Sequence, residues 1–137
     1  MNLSPAEINK RLESFKNASR TKRLPLTPQK IAIFKILASS CSHPDAQKIY
    51  ETVKKTFPSI SLATVYKNLI NFRKLGLIKE ISVAGAPSKY DAKLENHSHA
   101  IFLDSGEVYD LGSTDKQKYP KKIMGKTVKR VEVTYYL

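Results

Sequence analysis

The stretch SLATVYKNLINFRKLG, residues 61–76, predicts one amphipathic helix, and this helix decides how its neighbours are interpreted. Ser61 is a favourable N-cap, and Gly76 is a favourable residue just beyond the last helical turn. At 100° per residue, four apolar side chains form one stripe: Leu62, Val65, Leu69 and Phe72. The opposite face carries Ala63 and four polar residues, with Tyr66 on the flank: Thr64, Lys67, Asn71 and Lys74.

Three further helices are predicted before this one. Ser4 and Pro5 begin a helix over 5–19, and Thr27 with Pro28 begins a second. The second helix is expected to bury Ile31, Phe34 and Leu37. Asp45 can cap a third helix, whose apolar face comprises Ala46, Ile49, Tyr50, Val53 and Phe57.

The residues after Gly76 predict a hairpin, with strands over 77–82 and 88–91 around a turn at 84–87. Compact helices followed by a two-stranded hairpin are typical of a winged helix-turn-helix. The first part of the chain is therefore predicted to be a winged-helix DNA-binding domain over residues 1–86.

The apolar period changes to two after Asn96, which indicates β-structure. A hairpin is predicted from strands 99–103 and 107–111 around Asp104, Ser105 and Gly106. A short polar helix over 114–123 and a final strand with alternating apolar residues follow: Val131, Val133, Tyr135 and Leu137. The fold class is thus α+β, with a hinge at 87–96 and a small α/β dimerisation domain at 97–137. Its core is thin, so self-association is expected.

Charge is distributed unevenly along the 137 residues, which carry 24 Lys+Arg and 12 Asp+Glu, a formal net charge of +12. Residues 1–86 hold 15 basic and 5 acidic side chains, whereas residues 87–137 hold 9 and 7. The basic part indicates a polyanion partner, although a solubilising surface would explain charge alone equally well. No apolar run approaches the roughly 20 residues of a membrane span, so a cytoplasmic protein without a membrane partner is expected.

The polar face of the helix between Ser61 and Gly76 is a candidate DNA-reading surface. Thr64, Lys67 and Asn71, with Tyr66 beside them, offer donor, acceptor and methyl groups suited to base edges and phosphates. An ordinary solvated helix face is the alternative. The preceding helix, the following wing and the basic charge together favour DNA.

His97 and His99 form the second candidate site, because residues i and i+2 of a strand share a face. A two-residue turn at Asp104 and Ser105 would pair His99 with Asp110 across the hairpin. Two imidazoles and one carboxylate suit a borderline divalent metal. A slip of one residue would place Asp110 on the other face. Considered alone, His43 is interpreted as an ordinary loop histidine, and Asp91 is equally well explained as a carboxylate that caps a turn.

Several spaced motifs together resemble the ferric uptake regulator family over nearly the whole chain, from Leu24 to Tyr135. The first half contributes Ala46-x-x-Ile49-Tyr50, then Ser61-Leu62-Ala63-Thr64-Val65-Tyr66-Lys67-x-Leu69 and Gly76-Leu77-Ile78-Lys79-Glu80. The second half contributes Lys89-Tyr90-Asp91, His97-x-His99 and Gly106-Glu107-Val108-x-Asp110.

This resemblance implies a homodimeric repressor that binds palindromic double-stranded operator DNA when a regulatory metal is present. The matching ligand positions lie in both halves of the chain: His43, Asp91, His97, His99 and Asp110. One divalent ion per subunit is implied, Fe(II) or Mn(II), with Zn(II) as an ion that could bind in vitro. Aspartate at positions 91 and 110 is similar to the peroxide-sensing branch, in which Fe(II) and peroxide oxidise a ligand histidine, here His43 or His97. Reversible sensing of iron or manganese supply is the alternative.

Two departures from the family pattern change the expectations. Cys41 is the single cysteine, so no structural four-cysteine zinc site is expected, and Cys41 itself is expected to be a small buried thiol. The structural zinc site of the family uses two Cys-x-x-Cys pairs. Phe102 and Ser105 occupy the positions of the first pair, and no second pair precedes Leu137. Phe102 is expected to fill the space that the zinc site would occupy. Pro25 stands where a basic residue is common, so Lys22 or Arg23 is expected to take over a minor-groove contact. The candidate DNA-binding set is Lys22, Arg23, Ser61, Thr64, Tyr66, Lys67 and Asn71.

Two other functions compete with a metal-dependent repressor. Two histidines and a carboxylate also suit a non-haem Fe(II) oxygenase, but five candidate ligands leave few open positions for a substrate. The protein is therefore not expected to be an enzyme. A nonspecific basic nucleic-acid binder would show a steep salt dependence without any metal dependence.

Overall fold

The computed structural model describes residues 3–92, 97–113, 119–128, 131 and 133–137, apart from a few side chains. The chain forms two compact units, Met1–Leu94 and Glu95–Leu137. The first contains the helices and a two-stranded sheet, and the second contains short strands. An α+β fold with an N-terminal winged helix-turn-helix is therefore confirmed.

The helices of the first unit begin where polar residues can cap them. They are α1 (Pro5–Thr21), α2 (Pro28–Ser39), α3 (Ala46–Val53) and α4 (Leu62–Lys74). The side chains of Ser4, Thr27, Asp45 and Ser61 each accept a hydrogen bond from the backbone N–H three residues later, at 2.8–3.2 Å. Each bond satisfies one amide that the first helical turn leaves without a partner. The four predicted helix starts are confirmed.

Phe15 joins three helices in the core of this unit. Its ring stacks on Phe34 of α2 with centroids 3.9 Å apart, and it meets Phe72 of α4 edge-on at 5.2 Å. Of the stripe predicted on α4, Val65, Leu69 and Phe72 are buried, and Leu62 is half-buried. The α1 helix is therefore part of the winged-helix core.

The face that α2 buries differs from the predicted one. Ile33 is fully buried, as are Phe34 and Leu37, whereas Ile31 is only half-buried. From Ile31 to Ala38 every residue of α2 except Lys35 is apolar, so the periodicity of this run does not select a face. The packing of α1 and α3 against it selects the face instead.

The wing follows α4 as predicted. Strands β1 (Lys79–Ile81) and β2 (Lys89–Asp91) are antiparallel, with Glu80 opposite Tyr90. Gly76 ends α4 with φ +72, a left-handed conformation that glycine adopts without strain. Residues 89–91, which lie within the predicted hinge, therefore belong to the sheet of the first unit.

The second unit is built on a three-stranded sheet in the order β4-β3-β7. Strands β3 (His97–Ile101) and β4 (Val108–Ser113) are antiparallel, and β7 (Thr134–Tyr136) runs parallel to β3. The predicted pairing of His99 with Asp110 is confirmed at the level of the backbone register. The turn is longer than predicted, because Phe102 and Glu107 close it and Gly106 adopts φ +71.

The polar helix predicted over 114–123 is wrong where the structure describes the chain. Residues 114–118 lie outside the described part, and β5 (Lys122–Ile123) pairs with β6 (Lys126–Thr127) in a hairpin. Pro120 disfavours a continuing helix, and Met124 and Gly125 supply a tight turn. Among the described residues the final strand is shorter than the predicted run from Val131 to Leu137, because β7 covers Thr134–Tyr136 and is flanked by backbone hydrogen bonds from the His99 amide to Val133 and from the Leu137 amide to Ile101.

The sequence sets an expectation for two single side chains, Cys41 and Phe102. Cys41, expected to be a small buried thiol, is exposed in the loop after α2, so that expectation is wrong. Phe102 packs edge-on against Tyr109 with centroids 5.6 Å apart, on the hairpin where the family pattern has a cysteine. Aromatic packing therefore stabilises this hairpin.

Replacing Phe15 with alanine removes the ring that touches both α2 and α4, so we expect a loss of about 3–5 kcal/mol in the free energy of unfolding. Urea denaturation followed by circular dichroism measures the loss. Ser14→Ala on the exposed face of the same helix is the control, with a change below about 0.5 kcal/mol. A loss below about 1 kcal/mol for Phe15→Ala would show that α1 is not part of the core.

Candidate functional site

Pairing of β2 with the loop between α2 and α3 brings His43 and Asp91 together. The backbone N–H of Tyr90 donates to the carbonyl of Pro44 at 3.1 Å, and Asp45 forms a β-bridge with Lys89. The loop thus acts as a further edge of the wing sheet. His43 and Asp91, one residue beyond these contacts on each segment, face one another as a result.

The His43–Asp91 pair is buried, with 3% and 4% of each residue exposed. Its Nδ1 and Oδ2 atoms are 3.7 Å apart, which is too long for a direct hydrogen bond. Ligand atoms that share one ion lie roughly 3–4 Å from each other, because each bond to the ion is about 2.0–2.2 Å long. The spacing of the pair therefore fits two ligands of a single divalent ion.

His43 also adopts an uncommon backbone conformation, with φ +48. A side chain in this left-handed region costs free energy, and such residues concentrate at functional sites. Pro44 follows directly, and its carbonyl accepts a hydrogen bond from the amide of Tyr90. This contact with β2 holds the strained backbone at His43 in place. The conformation points the imidazole into the protein beside Asp91.

The remaining candidate ligands lie in the second unit. His99 is buried on β3, the central strand, and its backbone is paired with Asp110 and Thr134. The register shifts between His97 and His99, because His97 is opposite Ser113. One extra residue of β4 is accommodated there as a β-bulge. The side chains of His97 and Asp110 lie outside the described part of the structure.

Tyr90, beside Asp91 on β2, is buried, and burial raises the pKa of its hydroxyl above the usual value. The carboxylate of Glu80, opposite on β1, raises this pKa further. The phenol consequently stays neutral near pH 7. It adds no negative charge to the surroundings of His43 and Asp91.

The candidate DNA-reading residues of α4 differ in exposure. Tyr66 and Lys67 are exposed, whereas Thr64 and Asn71 are half-buried. The hydroxyls of Ser61 and Thr64 are 2.9 Å apart, and Ser61 Oγ also accepts the amide of Thr64. Ser61 thus caps the helix, and within α4 the exposed side chains of the set are Tyr66 and Lys67.

The basic linker between α1 and α2 is attached to the end of α4. Lys22 Nζ donates to the carbonyl oxygen of Leu75, the C-cap residue of α4. A lysine there satisfies an unpaired carbonyl and complements the negative end of the helix dipole. Arg23, which is exposed with φ +54, is therefore the better placed of the two for a phosphate.

Two residues that matter for this surface were not indicated by the sequence. Arg73 Nη1 lies 2.5 Å from Glu80 Oε2, which ties the last turn of α4 to the wing. Opposite charges on either side of the Gly76 turn are the signal that could have identified this pair. Asn68 is buried and donates to the carbonyl of Thr64 at 2.9 Å, a contact that the polar residue type alone does not reveal.

Residues 21–136 match the model of the ferric uptake regulator family. The chain belongs to this family. It is 37% identical to the peroxide-responsive repressor PerR of Staphylococcus saprophyticus over 104 residues, covering 76% of this chain and 70% of that protein.

Solved structures of the family have the same fold. The Campylobacter jejuni peroxide stress regulator aligns with a TM-score of 0.71 and 33% identity, covering 92% of this chain and 93% of that one. A zinc-bound manganese uptake regulator aligns with a TM-score of 0.65 and 25% identity, covering 90% and 98%. Within the described residues, no helix is long and apolar enough to cross a membrane.

Lys22→Gln removes the donor at the end of α4, so we expect a loss of about 0.5–1 kcal/mol in the free energy of unfolding. Thermal denaturation without DNA measures it. Arg23→Gln, one residue away in the same linker, is the matched control and should leave the midpoint unchanged. Equal midpoints for both variants would contradict the structural role of Lys22.

Proposed function

We propose that this protein is a metal-dependent DNA-binding repressor that responds to hydrogen peroxide. The observation that carries the proposal is the buried His43–Asp91 pair, with 3.7 Å between Nδ1 and Oδ2 and a left-handed backbone at His43. Family membership supports regulation of transcription, and similarity to peroxide-responsive repressors supports the signal.

The proposed ligands of one divalent ion per subunit come from both units. His43 and Asp91 belong to the winged-helix unit, and His97, His99 and Asp110 belong to the strands β3 and β4. Imidazole and carboxylate together suit Fe(II), Mn(II) or Zn(II). Such an ion would restrict the angle between the two units, because neither unit alone supplies the full ligand set.

This restriction is the proposed switch for DNA binding. Without the ion, the carboxylates of Asp91 and Asp110 would repel one another and nothing in the ligand set would fix the orientation of the two units. If only about 1% of molecules then have the orientation that DNA requires, the apparent affinity falls about 100-fold. Binding of the ion raises the competent fraction and restores the affinity.

A homodimer on palindromic operator DNA is part of the proposal. In the second unit, Tyr109 and Tyr135 lie in one row on either side of Ala100, and their exposures are 50% and 52%. Leu111, two residues after Tyr109, and Leu137, two residues after Tyr135, are also exposed. An apolar sheet face of this kind suits burial against a second copy, which would set the spacing of two α4 helices.

The same ligands provide a way to detect peroxide. With Fe(II) held by these ligands, hydrogen peroxide would insert one oxygen atom into the adjacent imidazole of His43 or His97, which would supply the two electrons, and the other oxygen would leave as water. Oxidation of that imidazole weakens its coordination. The protein then loses the orientation that DNA binding requires, and repression ends.

Loss of one ligand from either unit should weaken the metal activation of DNA binding. We expect His43→Asn and His97→Ala each to raise the Mn(II) concentration for half-maximal DNA binding at least about tenfold, since about 1.4 kcal/mol of binding free energy corresponds to that factor. Asparagine is chosen at position 43 because it tolerates a left-handed backbone. Fluorescence anisotropy with genomic operator fragments selected by the Mn(II)-loaded protein measures the midpoint.

Asp110→Asn and Asp104→Asn form a matched pair within one hairpin. Asp110 is a proposed ligand, whereas Asp104 caps the turn by accepting the amide of Ser105 at 2.8 Å. Only Asp110→Asn should shift the Mn(II) midpoint. Metal-stimulated DNA binding that persists unchanged in both His97→Ala and Asp110→Asn would refute the proposed ligand set.

Peroxide sensing makes a separate prediction about covalent change. Protein loaded with Fe(II) under anaerobic conditions and given stoichiometric hydrogen peroxide should gain one oxygen atom on the peptide that carries His43 or the one that carries His97. The Mn(II)-loaded protein should not gain it. Tryptic peptide mapping by mass spectrometry detects the change.

The outcome of that experiment decides between two signals. Oxidation confined to the Fe(II) sample supports a peroxide sensor. Intact histidines in both samples would instead indicate a sensor of metal supply, a candidate favoured by similarity to a manganese uptake regulator.

A further inference from the structure

Basic residues are concentrated in one segment of the second unit. Residues 116–130, KQKYPKKIMGKTVKR, contain seven Lys and Arg and no Asp or Glu. Residues 95–115 contain five Asp and Glu and no Lys or Arg. Surfaces that serve only solubility usually intersperse both signs, so this separation indicates a partner for the basic segment.

The described part of this segment is a narrow two-stranded ribbon. Ile123 of β5 pairs with Lys126 of β6, and the amide of Val128 donates to the carbonyl of Lys121 at 2.9 Å. Met124 and Gly125 connect the strands with φ +51 and +77. Two left-handed residues in a two-residue connection are the arrangement of a type I′ turn, which keeps the ribbon tight.

The tip of the ribbon is apolar and exposed. Met124 is 97% exposed and Ile123 is 56% exposed. Asparagine or glycine usually occupies the first position of such a turn, because other side chains are strained there. Met124 therefore accepts strain without contributing to a core, which suggests that its side chain has a contact outside the subunit.

Lysines surround this tip. Lys121, Lys122 and Lys126 are all exposed, and the register places Lys122 and Lys126 at neighbouring steps of the ladder. A ribbon two strands wide fits a DNA groove, lysines neutralise phosphates, and apolar side chains such as Met and Ile pack against base steps. Charge and shape thus match double-stranded DNA.

We propose that the β5–β6 hairpin is a second DNA contact, in which Lys121, Lys122 and Lys126 bind backbone phosphates around the apolar tip. The inference rests on the proposed function, because DNA held by the winged-helix unit would be present at high effective concentration for a hairpin on the same chain. The contact is independent of base sequence. It strengthens binding to operator and unrelated duplexes alike.

The salt dependence of DNA binding tests this contact. The probe is a duplex of mixed sequence, and the dissociation constant of the Mn(II)-loaded full chain is measured against NaCl concentration. Each phosphate contact contributes about 0.9 to the slope of log K against log salt. The triple variant Lys121→Gln, Lys122→Gln, Lys126→Gln should therefore reduce the slope by about 2–3 and weaken binding at fixed salt.

Two control variants separate a local contact from net charge and from hairpin shape. Lys10→Gln, Lys16→Gln, Lys35→Gln removes the same charge from α1 and α2, and its slope should fall by less than about 1. Met124→Asn keeps the lysines and suits the left-handed turn, so its slope should match the unmodified chain. An equal fall in either control would overturn the proposal.

A variant of α4 distinguishes failure of this inference from failure of the proposed function. Lys67→Gln should lower the slope by about 1 if α4 binds DNA. A fall for Lys67→Gln with none for the hairpin triple variant would overturn the hairpin contact alone. No fall in either would refute both proposals. Loss of binding to phosphatidylserine vesicles by the triple variant, with an unchanged DNA slope, would assign the hairpin to an anionic lipid surface and overturn the DNA contact.

Discussion

The double pairing of β2 is the constraint on which the functional part of the first unit depends. On one edge β2 pairs with β1, and on the other it contacts the backbone at Pro44 and Asp45. The first pairing fixes the wing beside α4, where Arg73 and Glu80 add an ion pair. The second brings the loop after α2 to Asp91. One short strand thereby links α4, the candidate DNA-reading helix, to the candidate ligands His43 and Asp91, so a change at these ligands can alter the wing.

The same pairing explains how His43 keeps a strained backbone. A left-handed conformation at a non-glycine residue costs roughly 1–3 kcal/mol and persists only where neighbouring contacts fix it. Pro44 restricts its own φ and accepts the hydrogen bond from Tyr90, and Asp45 begins α3 as its cap. His43 therefore directly precedes a segment that is restrained twice, by the β2 contact at Pro44 and by the α3 cap at Asp45. Relaxing the residue would require breaking the β2 contact or the cap, each of which contributes to the fold.

Sequence patterns predicted local features well and failed where tertiary packing determines the conformation. The caps Ser4, Thr27, Asp45 and Ser61 are residue-type preferences, and the pairing of His99 with Asp110 follows from a short turn. The buried face of α2 could not be predicted, because residues 31–38 are almost uniformly apolar and offer more than one possible stripe. The role of His43 and Asp91 as metal ligands was predicted from family resemblance alone, because their proximity depends on a strand contact between distant parts of the sequence. The polar residues at 114–123 favour a short helix by residue type, whereas Pro120 and the turn at Met124 and Gly125 produce the hairpin at Lys122–Thr127.

In the proposed switch, dividing the ligands between two units has a thermodynamic consequence for the sensor. Part of the free energy of ion binding orders the units, so the ion binds more weakly than it would to a preformed site with the same donors. DNA that selects the ordered arrangement removes this cost, and linkage requires that DNA raise metal affinity by the factor by which metal raises DNA affinity. Operator-bound protein would therefore retain its ion at concentrations at which unbound protein loses it. This coupling does not prevent the response to ligand oxidation. Oxidation removes one metal donor, so ion binding no longer supplies the free energy needed to order the two units. A sensor with divided ligands can thus hold repression steady against modest changes in metal supply while still responding to peroxide.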